Sequence, residues 1–228
     1  MWYYLKMVKK VLSDVQAAKL MYAIDSMDEY YRRELIGIPS RIRVKRILHE
    51  LGNVKNKKIL DVGCEAGYIS MKVAEAGGRV TAVDLIDEPL EKFREILITK
   101  PHLKKRITIQ KADARKLPFR NHQFNLIIAA EVIEHLRNLS GFISGAHKAL
   151  KASGKLIITF PNEPLREKFY PLLTLFGINA NIEGQVTLKN YSPNELLNEF
   201  SGKFRLLKHY LLPWWCPVTH LMIFAPKQ

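Results

Sequence analysis

Cysteine is scarce in this sequence of 228 residues: there are two, Cys64 and Cys216. Two isolated thiols in unlike contexts give neither a disulfide framework nor the paired spacing of a zinc site. No apolar run is long enough to span a bilayer. Acidic residues are also in short supply, with 22 Asp and Glu against 36 Lys and Arg, which leaves a formal net charge of +14. Such a surplus draws a chain towards RNA, anionic membrane surfaces or acidic small molecules. The basic residues are scattered, with modest clusters at Arg41 to Arg46, Lys55 to Lys58 and Lys104 to Arg106. No RNA-binding motif accompanies them, so a solvated basic surface is the simpler reading. Met1 to Leu12 carries Trp2, Tyr3, Tyr4 and Leu5, interrupted by Lys6, Lys9 and Lys10, and it lacks the layout of a signal peptide. It reads as a short amphipathic helix packed on the domain, with a membrane-surface contact as the alternative. A cytoplasmic location is the natural expectation.

What is present is an ordinary globular balance, 47% hydrophobic and 25% charged residues, in a length that suits one compact domain. Residues 14 to 52 have apolar positions at helical spacing, broken at Gly37 to Pro39, and are expected to form a helical cap over residues 1–52. From residue 53 the pattern changes. Strands are predicted at Lys57 to Gly63, Arg79 to Asp84, Arg106 to Gln110, Phe124 to Ala130 and Lys155 to Phe160. Helices are predicted between them at Tyr68 to Ala76, Glu88 to Ile98 and Leu139 to Ala152. Alternation of this kind implies parallel βαβ units and a doubly wound α/β sheet. After a helix at Pro193 to Phe200, the runs Phe204 to Leu212 and Pro217 to Ala225 have no helix between them and must be antiparallel.

The segment Ile59-Leu60-Asp61-Val62-Gly63-Cys64-Glu65-Ala66-Gly67-Tyr68 runs out of the first strand into a helix, where open α/β sheets bind their ligands. A dinucleotide fingerprint laid from Gly63 would need glycine at Glu65 and Tyr68, and both fail. Glu65 would also set an anion where a pyrophosphate must bind at the helix N-terminus. A cationic ligand suits that loop better. Asp84 ends the second strand, seventeen residues after Gly67, where a carboxylate can accept hydrogen bonds from ribose hydroxyls. Asp113, within Ala112-Asp113-Ala114 after the third strand, can meet the exocyclic amine of adenine.

These motifs, with Glu131-Val132-Ile133-Glu134-His135-Leu136, resemble in order and spacing those of class I S-adenosylmethionine-dependent methyltransferases. The nearest flavour is the broad group containing ubiquinone-biosynthesis-type O-methyltransferases (methyltransferase type 11). The resemblance spans about residues 30 to 225. It implies a Rossmann-like sheet of seven strands, mostly parallel, closed by an antiparallel C-terminal hairpin, in a domain over 53–228. It implies S-adenosylmethionine as cofactor, with S-adenosylhomocysteine as product. Gly63, Cys64 and Gly67 would contact the methionine part, with Asp61 helping through a water or a backbone amide. Asp84 and Leu85 would meet the ribose, Asp113 and Ala114 the adenine, and Glu131 would lie close by. The family usually has glycine where Glu65 stands; if that position needs φ > 0, glutamate there costs about 1 kcal/mol.

The acceptor is less legible. His135 is the candidate base for an acceptor hydroxyl, since imidazole titrates near neutrality; a structural histidine is an equal reading. A helix through Glu131, Glu134 and His135 would put all three on one face, a grouping that could hold a divalent cation. A further histidine after the fifth strand would be needed to match metal-dependent small-RNA methyltransferases, and none occurs between Phe160 and Phe200, where Gln185 stands instead. No metal is therefore expected. Residues 162 to 191 form an apolar insertion containing Phe169, Tyr170, Leu172, Leu173, Leu175 and Phe176, fit to line a pocket or to bury a helix face. Tyr30, Tyr31, Arg41 and Arg43 would, by the resemblance, cover the cofactor from the other side. The expected function is methyl transfer to a small-molecule acceptor, an oxygen on an aromatic or lipid-like compound. An RNA methyltransferase and a non-catalytic S-adenosylmethionine-binding protein remain the alternatives.

Overall fold

The computed structural model describes residues 37–168 and 188–227, together with Ser13, Val15, Gln16, Ala18, Lys19 and Tyr22. Seven strands form one sheet: β1 (Lys58–Val62), β2 (Arg79–Asp84), β3 (Ile107–Lys111), β4 (Phe124–Ala130), β5 (Leu150–Pro161), β6 (Phe204–Leu212) and β7 (Thr219–Pro226). Their order is β3-β2-β1-β4-β5-β7-β6. The pairs from β3 to β5 are parallel, whereas β7 is antiparallel to both β5 and β6. Central strands are buried on both faces, which is why β1 and β4 read as mostly apolar runs, broken by Asp61 and Asn125, rather than alternating ones.

Helices bounded among the described residues include α1 (Ile38–Leu51), α2 (Tyr68–Glu75), α3 (Asp87–Ile98), α4 (Pro101–Lys104), α5 (Ser140–Ala149) and α6 (Pro193–Ser201). They cover both faces, because side chains along each strand alternate. Leu60, Ile127, Ile158 and Phe224 pack with Phe142 of α5 and Phe200 of α6. Their neighbours Ile59, Ile128, Ile157 and Ile223 pack instead with Ile47 of α1, Val73 of α2 and Phe93 of α3. Each such side chain, fully buried, contributes about 1.5–3 kcal/mol. Among the described residues no helix is long and apolar enough to cross a membrane.

Two local expectations are corrected. The helix foreseen to Ala152 ends at Ala149, because Leu150 pairs with Phe124 and opens β5; the register then skips to Leu126 beside Lys155, leaving residues 151–154 outside the regular pairing. The shared face that a helix through Glu131, Glu134 and His135 would give does not form: the chain makes a 3₁₀ turn over Ile133–His135, and Glu131 before it has φ 57°.

Candidate cofactor and acceptor site

The winding of the sheet reverses beside β1: the chain goes outwards to β2 and β3, then returns to place β4 on the other side. The crevice at such a reversal, outside the carboxyl ends of the strands, is where open sheets bind ligands. Gly63, Asp84, Asp113 and Glu131 follow or end β1, β2, β3 and β4, so the topology lines them along that edge.

Gly63 leaves β1 with φ 68°, and its amide and that of Cys64 both donate to the Val83 carbonyl (2.9 and 3.0 Å). A Cβ on Gly63 would stand 2.4 Å from Val132 Cγ2. Gly67, at φ 80°, caps α2, and a Cβ there would stand 2.1 Å from Phe93 Cζ. Both glycines are thus required by the protein's own packing. Glu65 has φ 45°, the left-handed backbone considered from the sequence. Its amide donates to Asp84 Oδ2 at 3.0 Å, which ties the loop to β2.

Asp84 Oδ1 accepts from the Leu85 amide at 2.7 Å and, more weakly, from Ile86 at 3.4 Å. With the Glu65 amide on Oδ2, three of a carboxylate's roughly four acceptor sites are taken, which leaves room for about one ligand hydroxyl. Burial raises its pKa against the pull of these amides. Asp61 is 2% exposed and accepts from Ser70 Oγ at 2.6 Å. Burial, with the charge of Asp84 adding, pushes its carboxyl up to about 7 although the Ser70 hydroxyl opposes this. Two neighbouring carboxylates that resist ionising would be relieved by a cation and strained further by a phosphate. That fits the positively charged sulfur and ammonium of S-adenosylmethionine. The Cys64 thiol is pushed well above its usual range by burial and then by Asp61 and Asp84, so it stays neutral.

Asp113 caps the 3₁₀ turn Ala114–Lys116 through the Arg115 amide (2.8 Å) and also receives the Arg115 guanidinium on both oxygens. Meeting an adenine amine would require Arg115 to swing aside.

Glu131 Oε2 receives Arg43 Nη1 at 3.1 Å and Arg166 Nη2 at 3.0 Å, while Oε1 accepts from Thr159 Oγ1 at 2.9 Å. Burial opposes its charge, but Arg43 and Arg166 outweigh burial and hold its pKa below the usual glutamate value. Glu134 has the opposite fate: burial first, and the charge of Glu131 second, push its pKa well up. It is 3% exposed, and its Oε2 has no hydrogen-bond partner among the described residues. The left-handed backbone of Glu131 separates it from Glu134 and His135, so the three do not share a helical face. No group of three metal-ligating side chains occurs among the described residues.

His135 sits half-buried in its 3₁₀ turn, its amide donating to the Val132 carbonyl at 3.0 Å. Arg41, also half-buried, lies in the first turn of α1. Tyr30, Tyr31 and the apolar residues from Phe169 to Phe176, with Gln185, lie outside the described residues. Lys19 reaches Glu88 Oε1 at 2.5 Å, which brings part of the N-terminal segment to the start of α3, four residues beyond Asp84. Sequence reasoning missed Arg166, Thr159 and Ser70. Arg43 and Arg166 lie far apart in the chain, and no local spacing announces that they share one carboxylate.

Residues 60–158 match the model of the family described as "Methyltransferase domain". The rat mitochondrial ubiquinone biosynthesis O-methyltransferase is 32% identical over 117 residues, which are 50% of this chain and 34% of that protein. The ubiquinone biosynthesis O-methyltransferase of Actinobacillus pleuropneumoniae serotype 7 (strain AP76) is 29% identical over 129 residues, 55% of this chain and 54% of that protein. The chain therefore spans about a third to a half of these relatives' own length. Among solved structures, magnesium protoporphyrin IX methyltransferase from Synechocystis PCC 6803 with bound SAH superposes with a TM-score of 0.70 at 14% identity, covering 92% of this chain and 99% of that one. A SAM-dependent methyltransferase from Aquifex aeolicus gives 0.66 at 17%, covering 92% and 97%. At these identities the structures speak for the fold, and the domain match and the strand-end motifs speak for the family. Residues 60–158 thus carry a methyltransferase domain, on a fold shared with S-adenosylmethionine-dependent methyltransferases.

Proposed function

We propose that this chain is an enzyme that transfers the methyl group of S-adenosylmethionine to an oxygen on a small, apolar acceptor, aromatic or lipid-like. One observation carries the donor side: Asp61 and Asp84, both carboxyls raised by burial, flank the Gly63–Gly67 turn and favour a cation there. The acceptor side draws on the relatives, which are ubiquinone biosynthesis O-methyltransferases.

The bound cofactor supplies an electrophilic methyl on a sulfonium whose departure leaves a neutral thioether. The chain's part is mostly positional, since holding nucleophile and methyl in line is worth up to about 7–11 kcal/mol. Asp84 fixes the ribose end and the glycine turn admits the methionine end. Glu131 joins Arg43 of α1 to Arg166 of the helical turn over residues 163–168, so the two segments that flank the acceptor side are held against β4 by one carboxylate. An acceptor hydroxyl must also lose its proton, and His135 is the residue assigned to take it.

The test is transfer of labelled methyl from S-adenosylmethionine to two pools, polyprenylated phenols and total RNA. Label in the organic phase, with kcat reduced by His135→Ala and S-adenosylmethionine affinity kept, supports the proposal. Label in RNA alone overturns it in favour of an RNA enzyme. Binding with no turnover on any acceptor would mark a non-catalytic binding protein.

A further inference from the structure

The turn between β6 and β7 exposes two large aromatic side chains: Trp214 is 87% exposed and Trp215 55%, with Leu211 at 44% beside them in sequence. Burying such surface is favourable, and nothing about the hairpin as such requires it to be left in water. The turn lies at a telling end of the sheet. Pro161 pairs with Thr219, so the hairpin tip is beside the carboxyl end of β5, the same end from which Gly63, Asp84 and Glu131 emerge.

The tip is also braced from within. Cys216 N donates to the Pro213 carbonyl (3.0 Å) and Val218 N to that of Cys216 (2.7 Å). Asn162 Nδ2 donates to the Pro217 carbonyl at 2.8 Å, and Arg166 Nε to that of Val218 at 3.2 Å. The turn's backbone thus bonds inwards, to residues that follow β5, while the indoles point to solvent. Arg166 is the same residue that grips Glu131, so the tip and the acceptor side share one anchor.

The size and chemistry of this surface select its partner. Two tryptophans at these exposures offer on the order of 300 Å². A stable protein interface needs about 800 Å² on each side, so the tip by itself is too small to hold a second copy or another protein. A bilayer surface needs only shallow insertion, and indole, apolar with one N–H donor, concentrates at the lipid–water boundary. Charge agrees. Lys116, Arg137, Lys168 and Lys189 are exposed on segments leaving the same strand ends, against the exposed acids Glu167, Asp87 and Glu88, of which Asp87 is paired with Lys111 and Glu88 with Lys19. The chain as a whole is +14. We propose that the Trp214–Trp215 tip docks this protein on an anionic lipid surface, with the cofactor end of the sheet facing the membrane. The docking stands whether or not the acceptor proves to be an oxygen.

Flotation of the full chain with phosphatidylcholine vesicles, with and without phosphatidylglycerol, tests it without any turnover. The wild type is expected to float with the anionic vesicles and to be released by salt. Replacing both residues, Trp214→Ser with Trp215→Ser, is expected to weaken vesicle binding about tenfold or more and to leave S-adenosylmethionine affinity unchanged. Should that variant misfold, a Trp2→Phe chain reports the same point, because lipids brominated near the headgroup must then quench the hairpin fluorescence. The proposal fails if the wild type does not float, if the double variant floats equally well, or if the Trp2→Phe chain is not quenched. It fails likewise if the wild type is a dimer that the double substitution turns into monomer.

Discussion

Glu131 and Glu134 sit three residues apart, yet replacing each by glutamine is expected to move stability in opposite directions. Glu131 is 14% exposed and pairs with both Arg43 (3%) and Arg166 (18%). Removing one partner of a buried ion pair costs about 3–5 kcal/mol, because the other charge stays behind. Glutamine keeps the shape and the Thr159 hydrogen bond, so the lower end, about 3 kcal/mol, applies to Glu131→Gln. For a chain of this length that lowers Tm by roughly 6–12 °C. The pH dependence follows from the direction of the shift. A carboxyl held below its ordinary value near 4.5 stabilises the fold fully above that value and loses its contribution as pH falls through the folded pKa. The deficit of Glu131→Gln should therefore shrink in acid. Glu134 is raised instead, so the folded protein holds its proton and loses stability as pH rises from the unfolded glutamate value towards the folded one. Glu134→Gln removes that loss and should be at least as stable as the wild type at neutral pH. Thermal unfolding followed by circular dichroism across the acid-to-neutral range reads both. If Glu131→Gln melts with the wild type at neutral pH, or if Glu134→Gln falls as far as Glu131→Gln, the reasoning is refuted.

Three further outcomes follow from the same geometry. Gly67→Ala adds left-handed strain of about 1 kcal/mol and overpacking of about 1–3 kcal/mol against the Phe93 ring, so urea unfolding should show a loss that Phe93→Leu partly restores; a neutral Gly67→Ala would contradict the contact. Asp61 is raised from 3.8 to about 7, so wild-type stability should fall as pH rises across that window and then level, and Asp61→Asn should flatten the slope in denaturant titrations. Ser192 and Glu195 form a reciprocal cap on α6; Ser192→Ala should cost about 1 kcal/mol, or roughly 2–4 °C in Tm, and an unchanged melting curve would count against the cap.

The sheet was legible because its central strands are buried on both faces, which leaves an apolar run at Leu126 to Ala129 and, broken only by Asp61, another at Ile59 to Val62. The C-terminal hairpin was legible because two strands with no helix between them leave one option. Gly63 and Gly67 were legible as backbone positions because a left-handed backbone writes itself into residue type. The region from Glu131 to His135 was not. Helical spacing suggested one shared face, but Glu131 takes a left-handed backbone to reach Thr159, Arg43 and Arg166, and those partners come from β5, α1 and the turn after β5. Long-range ion pairing leaves no periodic trace. The end of α5 was misjudged for a related reason: cross-strand pairing of Leu150 with Phe124 overrode local helical pattern. Asp113 was read from its position alone, and its capture by Arg115 two residues on depends on a turn geometry that the pattern did not reveal.

The central claim is that the strand ends around Gly63 and Asp84 hold S-adenosylmethionine. Isothermal titration of the wild type and Asp84→Ala with S-adenosylmethionine and S-adenosylhomocysteine tests it most directly. The wild type should bind both. Losing a charged acceptor costs about 1.5–3 kcal/mol, so Asp84→Ala should bind both about 10-fold to 100-fold more weakly while staying folded. Failure of the wild type to bind either ligand, or equal binding by a folded Asp84→Ala, would contradict the account.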